Sequence, residues 1–129
     1  MSQAATRCRV LVVEDEPLIG MVIEDAVEDL GHEVVGPIGT LDEALELATH
    51  EPLDFAILDI NIRGGNSYPV ADMLLKRGLP MLLTTGYSPG TLPARLHEQR
   101  RLRKPFTAEQ LEAEIRLMCP GPKGSVAKV

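Results

Sequence analysis

The stretch DFAILDINIRGG, residues 54–65, joins a short apolar run to a carboxylate and then to two glycines. The run Phe55–Leu58 is continuous rather than alternating, which is typical of a strand that is buried on both faces. Asp59 follows it directly. A carboxylate at the end of such a strand would be held on a rigid element. The first question is therefore what function the carboxylate of Asp59 has.

The rest of the chain repeats this alternation of strand and helix. Strands are predicted at residues 10–13, 33–36, 55–58, 79–85 and 100–103, the last of them weakly apolar. Helices are predicted at 17–30, after a Thr40–Glu43 capping box, at 69–77, and after a Thr107–Gln110 capping box. Pro89, Gly90 and Pro93 leave at most a short or irregular fourth helix at 93–99. Five strand–helix units predict an α/β fold with a doubly wound, five-stranded parallel sheet.

Length and composition restrict the class of protein. The 129 residues suit one domain, and the net charge of -6 argues against general nucleic-acid binding. No apolar run is long enough for a membrane helix, and the first residues lack a signal-peptide core. Cys8 and Cys119 lie far apart in sequence and fit neither a metal motif nor a disulfide framework. We therefore expect a reduced, cytoplasmic protein.

Polar side chains follow four of the predicted strands, at the sheet edge where ligands bind in open parallel sheets. They are Glu14, Asp15, Asp59, Thr84, Thr85 and Lys104. Three carboxylates in one crevice repel one another and call for a cation. A hard divalent ion such as Mg²⁺ fits oxygen ligands next to a phosphate.

These residue types match phosphoryl transfer to a carboxylate. Asp59 would be the nucleophile, while Mg²⁺, Thr85 and Lys104 would bind the phosphoryl oxygens. Gly86 would leave room for the phosphate. Each residue also has an ordinary structural explanation: Asp59 as a turn former, the acids before Pro17 as favourable charges at a helix N-terminus, Lys104 as solvated surface. Their joint position at four strand ends favours the site.

The segments VLVVEDEP (10–17), AILDINI (56–62), MLLTTGY (81–87) and RKPF (103–106) together resemble the receiver domains of two-component response regulators. The resemblance covers residues 8–118, with a frayed 1–7 and a flexible 119–129. It implies a flavodoxin-like (βα)5 fold with strand order 2-1-3-4-5.

The same resemblance implies the chemistry of the site. Asp59 would be phosphorylated from a phosphohistidine on a sensor histidine kinase or a histidine phosphotransfer protein. Asp15 would bind Mg²⁺ directly with Glu14 in support, Asp59 would be a second ligand and the backbone carbonyl of Asn61 a third. Mn²⁺ would substitute for Mg²⁺. Output would pass by protein contact to an unknown downstream partner, or the chain would act as a phosphate relay or sink, as a monomer or weak dimer.

Part of the pattern departs from the family. TTGY at 84–87 is similar to the alphaproteobacterial "FAT GUY" subgroup, although the Phe-Ala before the Thr is absent. Many receivers carry an aromatic residue at the position of Arg101 that moves inward together with the Thr, here Thr85. An inward swing of Arg101 is disfavoured because its charge resists desolvation. Tyr87 is therefore either a substitute for this switch or a surface loop aromatic.

A basic patch is also predicted, formed by Arg95, Arg100, Arg101 and Arg103. It would be either a docking surface for an acidic partner or dimer, or a solvated edge that prevents strand pairing.

Two other functions have to be weighed against a signalling module. A phosphatase of the haloacid-dehalogenase type would use Asp59 as nucleophile but needs a second Asp two residues on, where this chain has Asn61. A flavodoxin-like cofactor binder would need aromatic rings for stacking, and the chain has two Tyr, two Phe and no Trp. We therefore expect a self-phosphorylating signalling module rather than an enzyme with an external product.

Overall fold

A computed structural model describes residues 7–86 and 92–119 of the chain. Its strands are β1 (Arg9–Val13), β2 (Glu33–Ile38), β3 (Phe55–Asp59), β4 (Asn61–Ile62), β5 (Gly65–Asn66), β6 (Met81–Thr85) and β7 (Arg100–Arg103). The helices are α1 (Pro17–Asp29), α2 (Leu41–His50), α3 (Tyr68–Lys76) and α4 (Ala108–Met118), with a 3₁₀ turn at Ala94–Leu96.

Five of the strands form one parallel sheet in the order β2-β1-β3-β6-β7. The two-residue strands β4 and β5 pair only with each other, in a small antiparallel hairpin after β3. Without that hairpin the order is 2-1-3-4-5, so the predicted fold class and strand order are confirmed. The predicted fifth strand is present as β7. It is weakly apolar because it is an edge strand whose side chains are mostly exposed.

The core lies on both faces of the sheet, since alternate residues of the central strands point to opposite sides. Leu11, Ala56 and Leu58 face a cluster covered by α2 and α3. Val12 and Ile57 face a second cluster, which α1 and α4 cover. Every residue of β3 and β6 is buried, as continuous apolar runs in a parallel sheet require.

The two predicted capping boxes differ in outcome. At α4 the prediction is confirmed: the Thr107 hydroxyl accepts from the Gln110 N–H (3.0 Å), and Gln110 Oε1 accepts from the Thr107 N–H (2.9 Å). At α2 it is wrong, because the Thr40 side chain makes no hydrogen bond to the helix backbone. A different N–H of the first turn bonds the loop before α3, as the Leu41 N–H donates to the carbonyl of Arg63 (3.2 Å).

Between β6 and β7, the described residues 86 and 92–99 carry a short 3₁₀ turn, which confirms the prediction of a short or irregular fourth helix. Leu96 in this turn is buried. Tyr87, Pro89 and Gly90 lie outside the described residues. Among the helices that the structure describes, none has the length and apolar character to cross a membrane.

The two ends of the described chain meet. A disulfide joins Cys8 to Cys119, with 6.5 Å between the Cα atoms. The prediction that these cysteines do not form a disulfide is therefore wrong. The physical reason is topological: Cys8 precedes β1, next to the centre of the sheet, and α4 packs beside α1 over the same cluster.

Candidate functional site

The carboxyl ends of β1, β3, β6 and β7 meet at one edge of the sheet. Asp59 lies beside Thr84 in the register of β3 and β6. Carboxylate oxygens of Glu14, Asp15 and Asp59 all lie within 4.8 Å of one another. The acids that the sequence placed at separate strand ends are thus brought together.

Asp59 is held in one orientation by two donors. The ammonium of Lys104 donates to Asp59 Oδ2 (3.1 Å), and the backbone N–H of Asn61 donates to Oδ1 (3.3 Å). The residue is 5% exposed. Its backbone belongs to β3, and the N–H of Ile60 next to it donates to the carbonyl of Thr84 (3.1 Å). The carboxylate is therefore fixed at the end of a rigid strand.

Glu14 is the most buried acid of the site, at 4% exposure. One oxygen, Oε1, lies 3.0 Å from Lys104 Nζ, and the other accepts from the N–H of Glu16 (3.1 Å). Burial raises the pKa of Glu14 to about 7; the bond to Lys104 opposes the shift and the charge of Asp59 adds to it. Burial is thus the main reason that Glu14 holds its proton more readily than an exposed glutamate.

Lys104 is positioned by its backbone as well as by its side chain. Its N–H donates to the carbonyl of Thr85 (2.8 Å), which ties the loop after β7 to the end of β6. Burial lowers the pKa of Lys104, but the hydrogen bond to Glu14 and the charge of Asp59 outweigh it and raise the pKa overall. The ammonium is therefore firmly protonated between two carboxylates.

An open cleft of about 340 Å³ lies over these groups. Its lining comprises Asp15, Glu16, Asp59, Asn61, Gly86 and Lys104. A Cβ built on Gly86 would meet no atom of the described chain within 4 Å, so the space beside this residue is open. Thr85 is buried at the end of β6, next to Gly86.

The donor set fits a hard divalent cation. Three ionised carboxylates close to one ammonium leave a net negative charge. Carboxylate oxygens around an open cleft are the ligands that Mg²⁺ prefers, because it keeps several waters and takes one or two carboxylates. Glu14, Asp15 and Asp59 are the residues that could hold it, while the role of the Asn61 carbonyl stays a prediction.

Sequence reasoning missed the buried Ser67. Its hydroxyl donates to the carbonyl of Asp59 (2.6 Å) and lies 3.2 Å from that of Ile60, and its N–H donates to Ile60 (2.8 Å). Ser67 therefore holds the turn that follows the acidic strand. The available signal was a Ser directly before the helix start at Tyr68–Pro69.

Sequence reasoning also missed an apolar groove beside the cleft, of about 490 Å³. It shares Glu16, Gly86 and Lys104 with the cleft and extends over Leu18, Ile19, Val22, Pro105 and Phe106. Leu18 is 77% exposed, although it is a large apolar residue on α1. The available signal was that Leu18 and Val22, one helical turn apart, are apolar at the exposed edge of the helix.

Two of the four arginines of the basic patch pair with carboxylates of the chain. Arg95 pairs with Asp72, and Arg100 pairs with Glu114. The exposed Arg101 donates to the carbonyl of His97 (3.1 Å). Whether its guanidinium swings inward on phosphorylation stays a prediction. Tyr87, the other proposed switch residue, lies outside the described part of the chain.

The site geometry agrees with a comparison against protein families, in which the response regulator receiver domain matches residues 10–116. The chain belongs to the response regulator receiver family. The narrower "FAT GUY" subgroup stays a prediction. As a member of this family, the receiver is a signalling module of the two-component type.

Several relatives are similar to this receiver. The phyllosphere-induced regulator PhyR of Methylorubrum extorquens is 36% identical over 110 residues, which are 82% of this chain and 41% of that protein. The transcriptional regulatory protein PdtaR of Mycobacterium tuberculosis is 32% identical over 120 residues, 90% of this chain and 58% of PdtaR. The receiver thus spans about half the length of these curated relatives.

A solved structure shows the same fold at nearly equal length. SdrG from Sphingomonas melonis Fr1 is 38% identical, with a TM-score of 0.75, and the match covers 87% of this chain and 96% of SdrG.

Proposed function

We propose that this receiver accepts a phosphoryl group on Asp59 from a phosphohistidine, with Mg²⁺ or Mn²⁺ as cofactor. The donor would be a sensor histidine kinase or a histidine phosphotransfer protein. One observation carries the proposal: the Asp59 carboxylate is oriented by Lys104 and the Asn61 N–H, beside two further carboxylates in an open cleft. The protein would act in the cytoplasm, through contact with a downstream protein, or as a relay or sink.

The chain's own residues account for the transfer. A carboxylate oxygen of Asp59 attacks phosphorus, the P–N bond breaks, and its electron pair leaves with the donor imidazole. Charge on the transferring group is spread over its outer oxygens, so Lys104 Nζ stabilises it from one side. The Thr85 hydroxyl and the open space beside Gly86 would receive the other oxygens. Bound Mg²⁺ supplies positive charge that offsets the three carboxylates and the phosphate.

Phosphorylation by acetyl phosphate tests the proposal. Incubation with Mg²⁺ should add the mass of one phosphoryl group, and EDTA should prevent the gain. Asp59→Asn should abolish it with little loss of fold. Asp54→Asn is the matched control, because Asp54 lies just before the same strand at the opposite edge of the sheet, where it accepts from the Arg9 N–H. Phosphorylation of Asp59→Asn, or its loss in Asp54→Asn with a native fold, would refute the assignment.

The apolar groove beside the cleft suggests where the donor protein binds. The cleft gives a phosphohistidine access to Asp59, and the groove continues the cleft along α1. We propose that the donor's histidine-bearing surface covers Leu18 and Val22, which would exclude water from the transfer.

A pair of variants tests this donor surface. Leu18→Glu should slow transfer from a phosphohistidine donor protein at least tenfold and leave the reaction with acetyl phosphate unchanged. Leu117→Glu, on the exposed side of α4, is the control, since Leu117 is 60% exposed. Equal slowing in both variants would place donor binding elsewhere.

A further inference from the structure

A second cluster of chemically active side chains lies outside the acidic site. Cys8, His32 and Cys119 are each less than 10% exposed, and one ligand atom from each lies within 4.8 Å of the others. Cys8 precedes β1, whereas Glu14 follows it. The cluster is therefore at the edge of the sheet opposite to Asp59, and the phosphoryl transfer does not use it.

The geometry of the two cysteines suits a disulfide. Their Cα atoms are 6.5 Å apart, within the roughly 4.4–6.8 Å that a disulfide spans. They are separated by 111 residues, so the bond connects the start of the first strand to the end of the last helix. Both side chains also pack in the cluster under α1 and α4, with Leu111 and Ile115 of that helix.

His32 lies between the two cysteines. Its Nδ1 accepts from the N–H of Cys8 (3.1 Å) and is 3.8 Å from Cys119 Sγ. Burial lowers the pKa of His32, so the ring stays neutral near pH 7.

We propose that Cys8 and Cys119 are a reversible redox pair that locks α4 to β1 when it is oxidised. The oxidant that forms the disulfide is a peroxide. One thiolate attacks a peroxide oxygen, giving a sulfenic acid and hydroxide, and the second thiolate attacks that sulfur and displaces another hydroxide. With the two thiol protons, hydrogen peroxide yields one disulfide and two waters. A dithiol reverses the reaction by exchange, which matters because reducing compartments rarely keep disulfides.

The same three side chains could instead suggest a Zn²⁺ site, and the structure disfavours it. Structural zinc has four protein ligands, and the described residues supply three. The Nδ1 lone pair that faces the sulfurs is already used by the Cys8 N–H. The disulfide needs no further ligand and leaves that hydrogen bond intact.

Oxidation should stabilise the receiver and leave the acidic site unchanged. The bond closes a loop that contains the whole sheet, and loops of this length are strongly restricted in the unfolded state. We expect the oxidised protein to melt about 10 °C above the reduced protein. Hydrogen exchange in α4 should also slow on oxidation, because its last turn is tied to β1.

The test uses wild-type protein, reduced with dithiothreitol and then treated with equimolar hydrogen peroxide in EDTA. The expected result is the loss of two hydrogen atoms by intact mass, no alkylation by iodoacetamide after unfolding, and a reversible rise in Tm. Cys8→Ala and Cys119→Ala, each confirmed as folded, should show no Tm response to reductant.

Two alkylated cysteines after peroxide treatment, or an unchanged Tm in disulfide-bonded protein, would overturn the proposal. So would zinc that copurifies in equimolar amount and protects both thiols until a chelator removes it. None of these readouts depends on phosphorylation, so failure here is separate from failure of the phosphoacceptor assignment.

Discussion

Lys104 is the residue on which the electrostatics of the site depend. Its ammonium lies 3.0 Å from Glu14 Oε1 and 3.1 Å from Asp59 Oδ2. It is the protein cation closest to Asp59 among the described ion pairs. At the residue scale, the question is how much of the transfer depends on this one charge and how much on the carboxylates around it.

Removing the ammonium should slow phosphorylation. We expect Lys104→Gln to react with acetyl phosphate roughly 100-fold more slowly, because a fixed donor to the transferring group is lost. The neighbouring Arg103→Gln also removes one positive charge, but Arg103 is exposed on β7. Initial rates by intact mass compare the two variants. A Lys104→Gln rate within threefold of wild type would show that the transfer does not depend on Lys104.

Glu14 should make stability depend on pH. Its folded-state pKa of about 7 is above the value of 4.5 in an unfolded chain. Protonation therefore favours the folded state, and this contribution is complete below about pH 4.5 and lost as pH rises through 7. Gln mimics the protonated acid. In EDTA, Glu14→Gln should melt above wild type at pH 8, and the difference should shrink towards pH 5.

Thermal melts at several pH values measure this difference. Glu16→Gln is the control for losing one negative charge, since Glu16 is exposed. A Glu14→Gln difference that is constant from pH 5 to pH 8 would show that Glu14 does not titrate in this window.

At the scale of elements, the two Thr residues before α2 and α4 have the same sequence signature and different roles. Thr107 bonds the backbone of α4, and Thr40 does not bond that of α2. Thr107→Ala should therefore lower the free energy of unfolding by about 1 kcal/mol. Thr40→Ala should change it by less than half as much. Urea unfolding of both variants checks this, and equal losses would mean that the two caps are equivalent.

Strand and helix placement followed from local patterns because the period of apolar residues reports which faces are buried. Val10–Val13, Phe55–Leu58 and Met81–Leu83 are apolar throughout and became central strands. The α2 capping box did not form, and the N–H of Leu41 at the start of this helix bonds the carbonyl of Arg63, which is remote in sequence. Local spacing cannot include such a partner.

At the scale of the whole molecule, cation binding should stabilise the fold, since a ligand that binds only the folded state raises its stability. Mg²⁺ at ten times its dissociation constant should raise Tm by about 5 °C. Asp15→Asn should lose most of this shift, while Asp42→Asn, exposed on α2, should retain it. Identical shifts in all three proteins would indicate a general salt effect rather than a site.

The sequence by itself determined the fold class, the order of elements and the acids at the strand ends, because apolar periodicity and strand-end position are local properties. Tertiary structure alone decided which groups touch. The pairing of Glu14 with Lys104 and the meeting of Cys8 with Cys119 join residues that are distant along the chain. Those contacts depend on how the sheet orders its strands and which face each helix covers, and no local pattern records either.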